Sequence, residues 1–338
     1  MRVMVPGYDH RGGEHCASTA MRNVLAFYGV EISEAMVFGL GAGLGFFYLR
    51  KDEVSPSRMF HGRTLSFESD FFANAGIPFE DRPDTDDDRA WESVRERIDA
   101  GEPVLIATDT FYLGYHNTTS HFPGHRAVVV GYDDPAREVY MADRKFPELQ
   151  TCSYDELRRA RNAPDYPMTC HNQFGAFLGP VRLGVELAPA VRGAIRQTAD
   201  WMLAPPGDDP DLQTGIAAMR TLAADFPSWR ERADWSWAAR FGYQVVIRRG
   251  AGGSFFRSIY ADYLAEAAEC LPAIGEAGLA GEMHAIAAGW RDLAGTLEEQ
   301  SDRDRCDPAL FARAGEQTAA LADREEAFFQ RLREVASA

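Results

Sequence analysis

The stretch GGEHCASTAMRNVLAFYG, residues 12–29, predicts a helix that begins at a cysteine. Its apolar side chains recur at the i, i+3, i+4, i+7 spacing of one helical face: Ala17, Ala20, Met21, Val24, Leu25 and Tyr28. Gly29 is a typical helix end. Cys16 then lies in the first turn, where unpaired backbone N–H groups and the positive end of the helix dipole favour a thiolate. Gly12 and Gly13 allow the backbone upstream to bend tightly and to approach a ligand closely.

Three roles remain open for Cys16: nucleophile, metal ligand or ordinary buried thiol, the usual state of a free cysteine. A nucleophile needs a base and a group that orients the base. GHRAVVVGYDD places His125 at the start of a predicted strand, and REVYMADR places Asp143 at the end of the next strand. Turn-forming residues 133–136 join the two strands in a predicted hairpin, so the two side chains come within hydrogen-bond reach.

The order of Cys at a helix start, His at a strand start and Asp on the following strand is that of papain-like cysteine enzymes. Taken alone, His125 could equally satisfy a backbone carbonyl, and Asp143 could be a turn residue. A zinc site is a further alternative, since the potential ligands include His10, His15, Cys16, His121 and His125. Their spacing fits no familiar zinc scheme, and Pro123 and Gly124 exclude a helix through His121 and His125, so we expect no metal.

The 338 residues suffice for two domains. Residues 1–185 mix predicted helices (16–28, 66–75, 88–100 and 154–162) with predicted strands (103–109, 126–134, 137–144 and 181–187). Residues 186–338 carry alanine, leucine and arginine at helical spacing. We therefore expect an α+β domain over residues 1–185 and an all-α domain over residues 186–338.

Composition excludes several classes of function. The net charge of -16 argues against binding nucleic acid by neutralising phosphates. We find no apolar run long enough to span a membrane and no signal peptide. The cysteine count is odd and includes no CxxC pair, with cysteines at positions 16, 152, 170, 270 and 306. This pattern favours reduced thiols and a cytoplasmic location.

Three runs of the sequence together resemble the butirosin-biosynthesis protein H family. They are EHCASTAMRNVLAFYGVEISEAMVFGLGAGLGFFYL, GHRAVVVGYDD followed by VYMADR, and RRGAGGSFFRSIYADYL (248–264). The resemblance implies a papain-like, cysteine-peptidase-type N-terminal domain followed by a helical domain. It also implies acyl transfer in antibiotic or other specialised metabolism: an aminoacyl group moves from an acyl-carrier-protein thioester to an amine.

The resemblance assigns a role to each residue of the predicted triad. Cys16 is the nucleophile that takes the acyl group, His125 is its base, and Asp143 orients His125. Papain-like enzymes place a glutamine oxyanion donor ahead of the cysteine, where this sequence has His10. The backbone N–H of Cys16 is a second candidate donor. No cofactor is required beyond the phosphopantetheine carried by an acyl or peptidyl carrier protein.

Two glycine-rich segments are candidates for substrate binding. We interpret FGLGAGLGFFY (38–48) as a flexible segment that lines an acyl tunnel, with Phe46, Phe47 and Tyr48 as walls. A structural turn with a buried aromatic cluster is the alternative. GAGGSFFR (250–257) either contacts the phosphopantetheine arm or packs a helix start, and it points to Arg257 and Tyr260 as further candidates.

A carrier protein is acidic, so docking it to this acidic chain requires a local basic patch. ELRRARN (156–162) and YLRK (48–51) are candidates for that patch. Two other functions stay open. The same triad could pass the acyl group to water, as in a thioesterase or amidase. Alternatively, the fold could be a non-catalytic module that binds a peptide or carrier. The oligomeric state is not predicted.

Overall fold

The computed structural model describes residues 1–164, 169–205, 209 and 211–337. The chain forms two compact units, each made of two stretches of sequence. The first unit comprises Met1–Val37 and Ala75–Gly184, and the second comprises Phe38–Asn74 and Val185–Ala338. The architecture is mixed α+β, with a helical C-terminal region. No helix in the described part of the chain has the length and apolarity needed to cross a membrane.

The first unit is built around an antiparallel sheet. Its strands are β1 (Arg2–Met4), β4 (Phe79–Arg82), β5 (Val104–Thr108), β6 (His125–Asp133), β7 (Glu138–Ala142), β8 (Gln150–Ser153) and β9 (Phe174–Phe177). Its helices are α1 (Cys16–Phe27), α2 (Glu34–Leu40), α4 (Asp87–Asp99) and α5 (Tyr154–Arg161), with 3₁₀ turns at Thr110–Tyr112 and Gly114–His116. The C-terminal end of α2 groups with the second unit.

The strand order in this sheet is β4-β9-β5-β6-β7-β8, and β1 also pairs with β6. One edge of β6 pairs with β5 over its first half and with β1 over its second half. Every residue of β5, and all but the last of β6, is buried. Near-continuous apolar runs are typical of strands covered on both faces. Helix α1 packs against β5 and β6, which brings its N-terminus to the central strands.

The second unit is mainly helical. Its helices are α3 (Phe67–Asn74), α6 (Leu187–Leu203), α7 (Gly215–Asp225), α8 (Trp235–Ile247), α9 (Arg257–Ala267), α10 (Pro272–Glu276), α11 (Leu279–Ser301) and α12 (Pro308–Ser337), with a 3₁₀ turn at Phe226–Glu231. A small antiparallel sheet, β10-β2-β3, completes it. Its strands are β2 (Leu44–Arg50), β3 (Arg58–Arg63) and β10 (Leu212–Thr214).

The structure forms the predicted helices near residues 16–28, 66–75, 88–100 and 154–162, with ends that differ by one residue or so. It also forms the strands near 103–109, 126–134 and 137–144, the last two joined as the predicted hairpin. The strand predicted over 181–187 is wrong. This segment is mostly exposed and pairs with no described strand, so its alternating apolar residues do not mark a buried face.

Two features of the second unit differ from the sequence-based expectation. Residues Phe38–Asn74 group with the helices of this unit, although the predicted domain ranges are continuous. The reason is packing: β2 contacts α6 and α7, and β3 contacts α8. The region after residue 186 is also not purely helical, because Leu212–Thr214 pairs with β2 as β10.

Candidate active site

Cys16 is the first residue of α1, and His15 caps that helix. The His15 backbone is extended, and its Nδ1 atom accepts a 3.4 Å hydrogen bond from the Ser18 backbone N–H. This contact satisfies one of the free donors of the first turn, as serine or aspartate caps do elsewhere. Cys16 therefore lies in the first turn, at the positive end of the helix dipole, with an imidazole directly before it.

A carboxylate from the next helix holds the backbone of residues 14 and 15, the segment that leads into Cys16. Glu34, the first residue of α2, accepts hydrogen bonds from the backbone N–H groups of Glu14 (3.1 Å) and His15 (2.8 Å). It also accepts from the hydroxyls of Ser18 (3.0 Å) and Thr19 (2.9 Å). Glu34 could not be predicted from the sequence, because no local pattern indicates that a carboxylate reaches back over 19 residues.

Gly13 is required by this arrangement. A Cβ atom built on Gly13 would overlap the Thr19 hydroxyl and the Glu34 carboxylate. The glycine pair ahead of the cysteine thus makes room for the carboxylate that holds residues 14 and 15, in addition to allowing the chain to bend.

The hairpin places His125 beside Asp143. Val128 pairs with Ala142, so the next pair in the same register sets Asp143 opposite Ala127. His125 lies two residues from Ala127 on the same face, which makes it a diagonal neighbour of Asp143. The His125 Nε2 atom lies 2.7 Å from the Asp143 Oδ2 atom. Since Nε2 is bound to the carboxylate, Nδ1 is the nitrogen left for Cys16, to which the His125 side chain is hydrogen-bonded.

The three side chains of the predicted triad are therefore brought together and are almost completely buried, with exposed fractions of 8% for Cys16, 4% for His125 and 1% for Asp143. Burial by itself raises the pKa of Cys16, but His15 and His125 hold it well below that of an ordinary thiol. Burial lowers the pKa of His125, whereas Asp143 and Cys16 raise it to about 10. Burial raises the pKa of Asp143, but His125 and His116 hold it well below its usual range. The site favours a thiolate–imidazolium pair beside an ionised carboxylate.

Two further residues, neither of them predicted from the sequence, contact the Asp143 carboxylate. The Nε2 atom of His116 lies 2.9 Å from Asp143 Oδ2, and the Tyr115 hydroxyl donates to the same oxygen at 3.2 Å. Both residues lie in the connection between β5 and β6, which has no periodic pattern. The adjacent Tyr-His pair is the only signal in the sequence, and it is a weak one.

Potential metal-ligating atoms of His116, His125 and Asp143 lie within 4.8 Å of one another. The imidazole nitrogens are 2.7 and 2.9 Å from the carboxylate oxygen. A tetrahedral ion with bonds of about 2.0 Å would separate its ligand atoms by roughly 3.3 Å. The observed spacing therefore fits direct hydrogen bonds better than shared coordination of an ion.

His10 contacts a backbone carbonyl of the same unit. Its Nε2 atom lies 2.8 Å from the Phe146 carbonyl oxygen, which can only accept, so Nε2 carries a proton. In the neutral tautomer Nδ1 is then unprotonated, and it is buried without a hydrogen-bond partner among the described residues. His10 can offer a second hydrogen bond to an oxyanion only as an imidazolium.

The predicted tunnel residues belong to the second unit, whereas the triad belongs to the first. Phe46 and Tyr48 are fully buried, and the Phe46 ring packs against Phe60 and Trp290 at 6.3 and 5.9 Å between centroids. Tyr48 donates a 2.5 Å hydrogen bond to Asp225. Phe47 is partly exposed.

The segment that contains these aromatic residues is not a flexible loop, contrary to our interpretation of residues 38–48. It comprises the end of α2, a turn and β2. A Cβ at Gly39 would overlap the ring of Tyr263, and one at Gly41 would overlap the ring of Phe67. These glycines permit close packing of rings on the backbone, which sequence alone does not distinguish from flexibility.

Arg257 and Tyr260 also lie in the core of the second unit, and both are fully buried. Arg257 forms an ion pair of 2.7 Å with Glu325, and neither side chain is exposed. Tyr260 packs against Tyr263 at 5.4 Å between ring centroids. All five predicted substrate-binding residues thus belong to the second unit, and the contacts described above for Phe46, Tyr48, Arg257 and Tyr260 are made within that unit.

Only some of the basic side chains in the two candidate patches are exposed and without an acidic partner described here. In the 156–162 segment, Arg158 pairs with Asp87 and Asp88 at 2.8 and 2.9 Å, and Arg161 is buried. Arg159 is exposed. In the 48–51 segment, only Lys51 is exposed.

Comparison with protein families assigns both parts of the chain. Residues 15–144 match the family described as "Butirosin biosynthesis protein H, N-terminal", a range that includes Cys16, His125 and Asp143. Residues 155–332, more than half of the chain, match "Domain of unknown function (DUF4872)". A search of curated proteins finds no match. The chain therefore belongs to the family in which a butirosin biosynthesis protein H N-terminal domain is followed by a DUF4872 domain.

Proposed function

We propose that this protein is a cysteine-dependent acyltransferase of specialised metabolite biosynthesis. It would move an acyl or aminoacyl group from a carrier-protein thioester to an amine through an acyl-enzyme on Cys16. The observation that carries the proposal is the buried set of Cys16, His125 and Asp143, with Cys16 at a helix N-terminus and its pKa lowered by two histidines. The same set, on a helix packed against an antiparallel sheet, supports a papain-like fold for the first unit.

In the first half-reaction, the Cys16 thiolate attacks the carbonyl carbon of the donor thioester. The tetrahedral intermediate collapses by breaking the bond between that carbon and the sulfur of the phosphopantetheine arm. The His125 imidazolium gives its proton to the departing thiolate. One thioester replaces another, so the step is nearly balanced in energy and requires no ATP.

In the second half-reaction, the neutral acceptor amine attacks the Cys16 thioester. Neutral His125 takes the proton that the attacking nitrogen loses, and the Cys16 sulfur leaves as a thiolate. The products are an amide and the starting thiolate–imidazolium pair, so atoms and protons balance. Asp143 stabilises the imidazolium that forms and fixes the orientation of the ring.

Negative charge develops on the carbonyl oxygen in both half-reactions. The backbone N–H of Cys16 lies at the start of α1 and is the main candidate to stabilise it. A charged His10 is a second candidate. The acyl or peptidyl carrier and the small-molecule amine are the proposed partners, and the phosphopantetheine arrives with the carrier.

The proposal is tested by the intact mass of the protein after brief incubation with aminoacyl-pantetheine thioesters. We expect a mass gain equal to the acyl group in the wild type and none in Cys16→Ala. Cys270→Ala is the matched control, because Cys270 is partly exposed and has a raised pKa. The Cys270→Ala protein should acquire the adduct as the wild type does. An adduct that persists in Cys16→Ala overturns the proposal.

Hydrolysis of the same acyl-enzyme is the competing outcome. If the adduct decays at one rate whether or not an amine is added, the enzyme is a thioesterase or amidase. If decay accelerates with amine concentration and yields the amide, it is a transferase. If no donor acylates the protein and Cys16 is no more reactive than a free thiol, the first unit is a binding module.

A further inference from the structure

The two oxygens of the Asp143 carboxylate differ in how many hydrogen bonds they accept. Its Oδ2 atom receives hydrogen bonds from His125 at 2.7 Å, from His116 at 2.9 Å and from the Tyr115 hydroxyl at 3.2 Å. Its Oδ1 atom is buried and has no partner among the described residues. Two imidazoles therefore share a single carboxylate oxygen, although orienting one base requires only one.

His116 is held in this position by the connection between β5 and β6. The buried Asp109 carboxylate ties both ends of that connection together, since its Oδ1 atom accepts from the backbone N–H groups of Phe111 and Phe122, each at 2.9 Å. The His116 backbone N–H donates to the Leu113 carbonyl at 3.0 Å. The His116 ring meets the His125 ring edge-on, with 5.1 Å between centroids. Its orientation is therefore set by the fold.

We propose that His116 is a positioning residue that divides the Asp143 carboxylate between two imidazoles, and so limits how strongly His125 holds its proton. The direction follows from hydrogen-bond chemistry. Every N–H that binds Oδ2 withdraws part of the negative charge that would otherwise stabilise the His125 imidazolium. Burial and the nearby His125 lower the pKa of His116, so His116 is a neutral donor through Nε2–H.

The consequence for acyl transfer rests on the proposed function. Before acylation, both the Cys16 thiolate and Asp143 stabilise the His125 imidazolium. In the acyl-enzyme the thiolate is gone and Asp143 is the remaining counterion, so the share taken by His116 matters most in the second half-reaction. His125 must then be neutral to accept a proton from the amine.

Several other titratable groups face these rings and contribute to the same balance. His15 and Cys16 face His125 from the N-terminus of α1. Tyr115 keeps its proton, because burial and Asp143 raise its pKa. Lys145, after β7, adds positive charge near His116. None of them changes in the variants below except Tyr115, which is altered deliberately as a control.

The first test uses Cys16 alkylation by iodoacetamide as a function of pH, read on the Cys16 peptide by mass spectrometry. The upper inflection of this profile reports the loss of the His125 proton. In His116→Phe, which keeps a ring in the same place, we expect that inflection to move up by roughly one pH unit. His116→Gln keeps an N–H donor and should restore the wild-type value. Tyr115→Phe removes a longer hydrogen bond to the same oxygen and should give a smaller shift.

An inflection that stays in place or moves down in His116→Phe overturns the inference, as does an equal shift in Tyr115→Phe. A second measurement needs no variant: NMR of histidine-labelled wild-type protein should find His116 neutral and protonated on Nε2 at pH 7. A proton on Nδ1 instead refutes the inference. Neither test uses a substrate, so a failure to acylate Cys16 would sink the proposed function without affecting them.

With a competent acyl donor, His116→Phe should affect the rates of the two half-reactions differently. The rate of Cys16 acylation should stay within about twofold of wild type. Aminolysis at pH 7 should slow by roughly tenfold. The midpoint of its pH–rate profile should move up by roughly one pH unit, which is the shift that corresponds to this factor. Equal slowing of both half-reactions, without a change of pH profile, would indicate a merely structural role and contradict the inference.

Discussion

The backbone N–H of His15 donates a 2.8 Å hydrogen bond to the carboxylate of Glu34, which lies 19 residues later in the chain. The residue that precedes the candidate nucleophile is therefore held by the start of the following helix. The same carboxylate accepts from the Thr19 hydroxyl in α1 at 2.9 Å. The position of Cys16 thus depends on a carboxylate that has no chemical part in the proposed reaction.

Replacing Glu34 with alanine should destabilise the protein and impair Cys16. The substitution leaves the backbone N–H groups of Glu14 and His15 without their acceptor. We expect a loss of about 2–3 kcal/mol in the free energy of unfolding, because these hydrogen bonds go to a charged group. Urea denaturation measures the loss, and the rate of Cys16 alkylation at pH 7 should fall at the same time.

Glu31→Ala is the matched control for Glu34→Ala. Glu31 precedes the same helix, but its side chain is 74% exposed and its ion pair with Arg11 is 3.7 Å long. Such a pair contributes under about 1 kcal/mol. If Glu31→Ala and Glu34→Ala have the same effect, Glu34 does not hold the backbone segment that leads into Cys16.

Gly13→Ala should act through the same carboxylate. The added methyl group would overlap the Glu34 carboxylate and the Thr19 hydroxyl, so one of them must move. We expect a destabilisation of about 1–3 kcal/mol and slower alkylation of Cys16. In a Glu34→Ala background the same methyl group meets one obstacle fewer, so its additional cost should be smaller. A double-mutant cycle measures this coupling, and strictly additive costs would contradict the geometry.

The reactivity of Cys16 should persist at acidic pH. An ordinary thiol with a pKa near 8.5 is about 0.3% thiolate at pH 6. His15 and His125 outweigh burial and lower the pKa of Cys16, so its thiolate fraction at pH 6 is far larger. Cys270 and Cys306 serve as internal references, since burial raises the pKa of each. Iodoacetamide at pH 6 should label Cys16 at least tenfold faster than either, as measured by peptide mass spectrometry.

Asp143→Asn should reduce the reactivity of Cys16 at acidic pH. Loss of the carboxylate removes a major stabiliser of the His125 imidazolium, so the pKa of His125 falls and that of Cys16 rises. Alkylation at pH 6 should therefore drop relative to wild type, while the rate above pH 9 should change little. An unchanged rate at pH 6 would mean that His125 does not stabilise the thiolate.

The parts of the site that depend on regular elements could be predicted from the sequence. A helical period indicates that Cys16 lies at a helix start, and two β-rich runs joined by turn-forming residues indicate that His125 and Asp143 share one hairpin. In both cases a short local pattern determines which side chains share a face. The strand expected over 181–187 has alternating apolar residues but pairs with none of the described strands, and burial by a partner is not encoded locally.

The residues that escaped prediction act over long separations or from irregular segments. Glu34 and His116 each bind a group at least 19 residues away, and neither lies in a pattern that indicates this contact. Arg257 was expected to contact substrate because it follows a glycine-rich run. A buried arginine with a carboxylate partner from another helix has the same local sequence. Pairing across the tertiary structure decides between these roles.

The buried pair of Arg257 and Glu325 is the basis of the last prediction. Arg257 donates to both carboxylate oxygens, at 2.9 Å from Nε and 2.7 Å from Nη2, and the Trp290 indole N–H donates to the same carboxylate at 2.6 Å. Neither charged side chain is exposed. Both charges therefore depend on each other, because water does not reach either one.

Removing one partner should cost far more than removing both. Glu325→Leu leaves the Arg257 guanidinium buried without its carboxylate, so we expect about 3–5 kcal/mol of destabilisation in urea denaturation. Adding Arg257→Met to that variant removes the unpaired charge and should recover at least half of the loss. Arg220→Ala is the control. It removes ion pairs of 2.6 Å with Glu326 and 3.0 Å with Asp323, but these side chains are 44%, 40% and 74% exposed, so the loss should cost under about 1 kcal/mol. Arg257 Nη1 also donates to the carbonyls of Gly45, Gly62 and Phe255. If Arg257→Met lowers stability further in the Glu325→Leu background, these carbonyl contacts outweigh the cost of the unpaired charge, and the role of Arg257 as mainly an ion-pair partner fails.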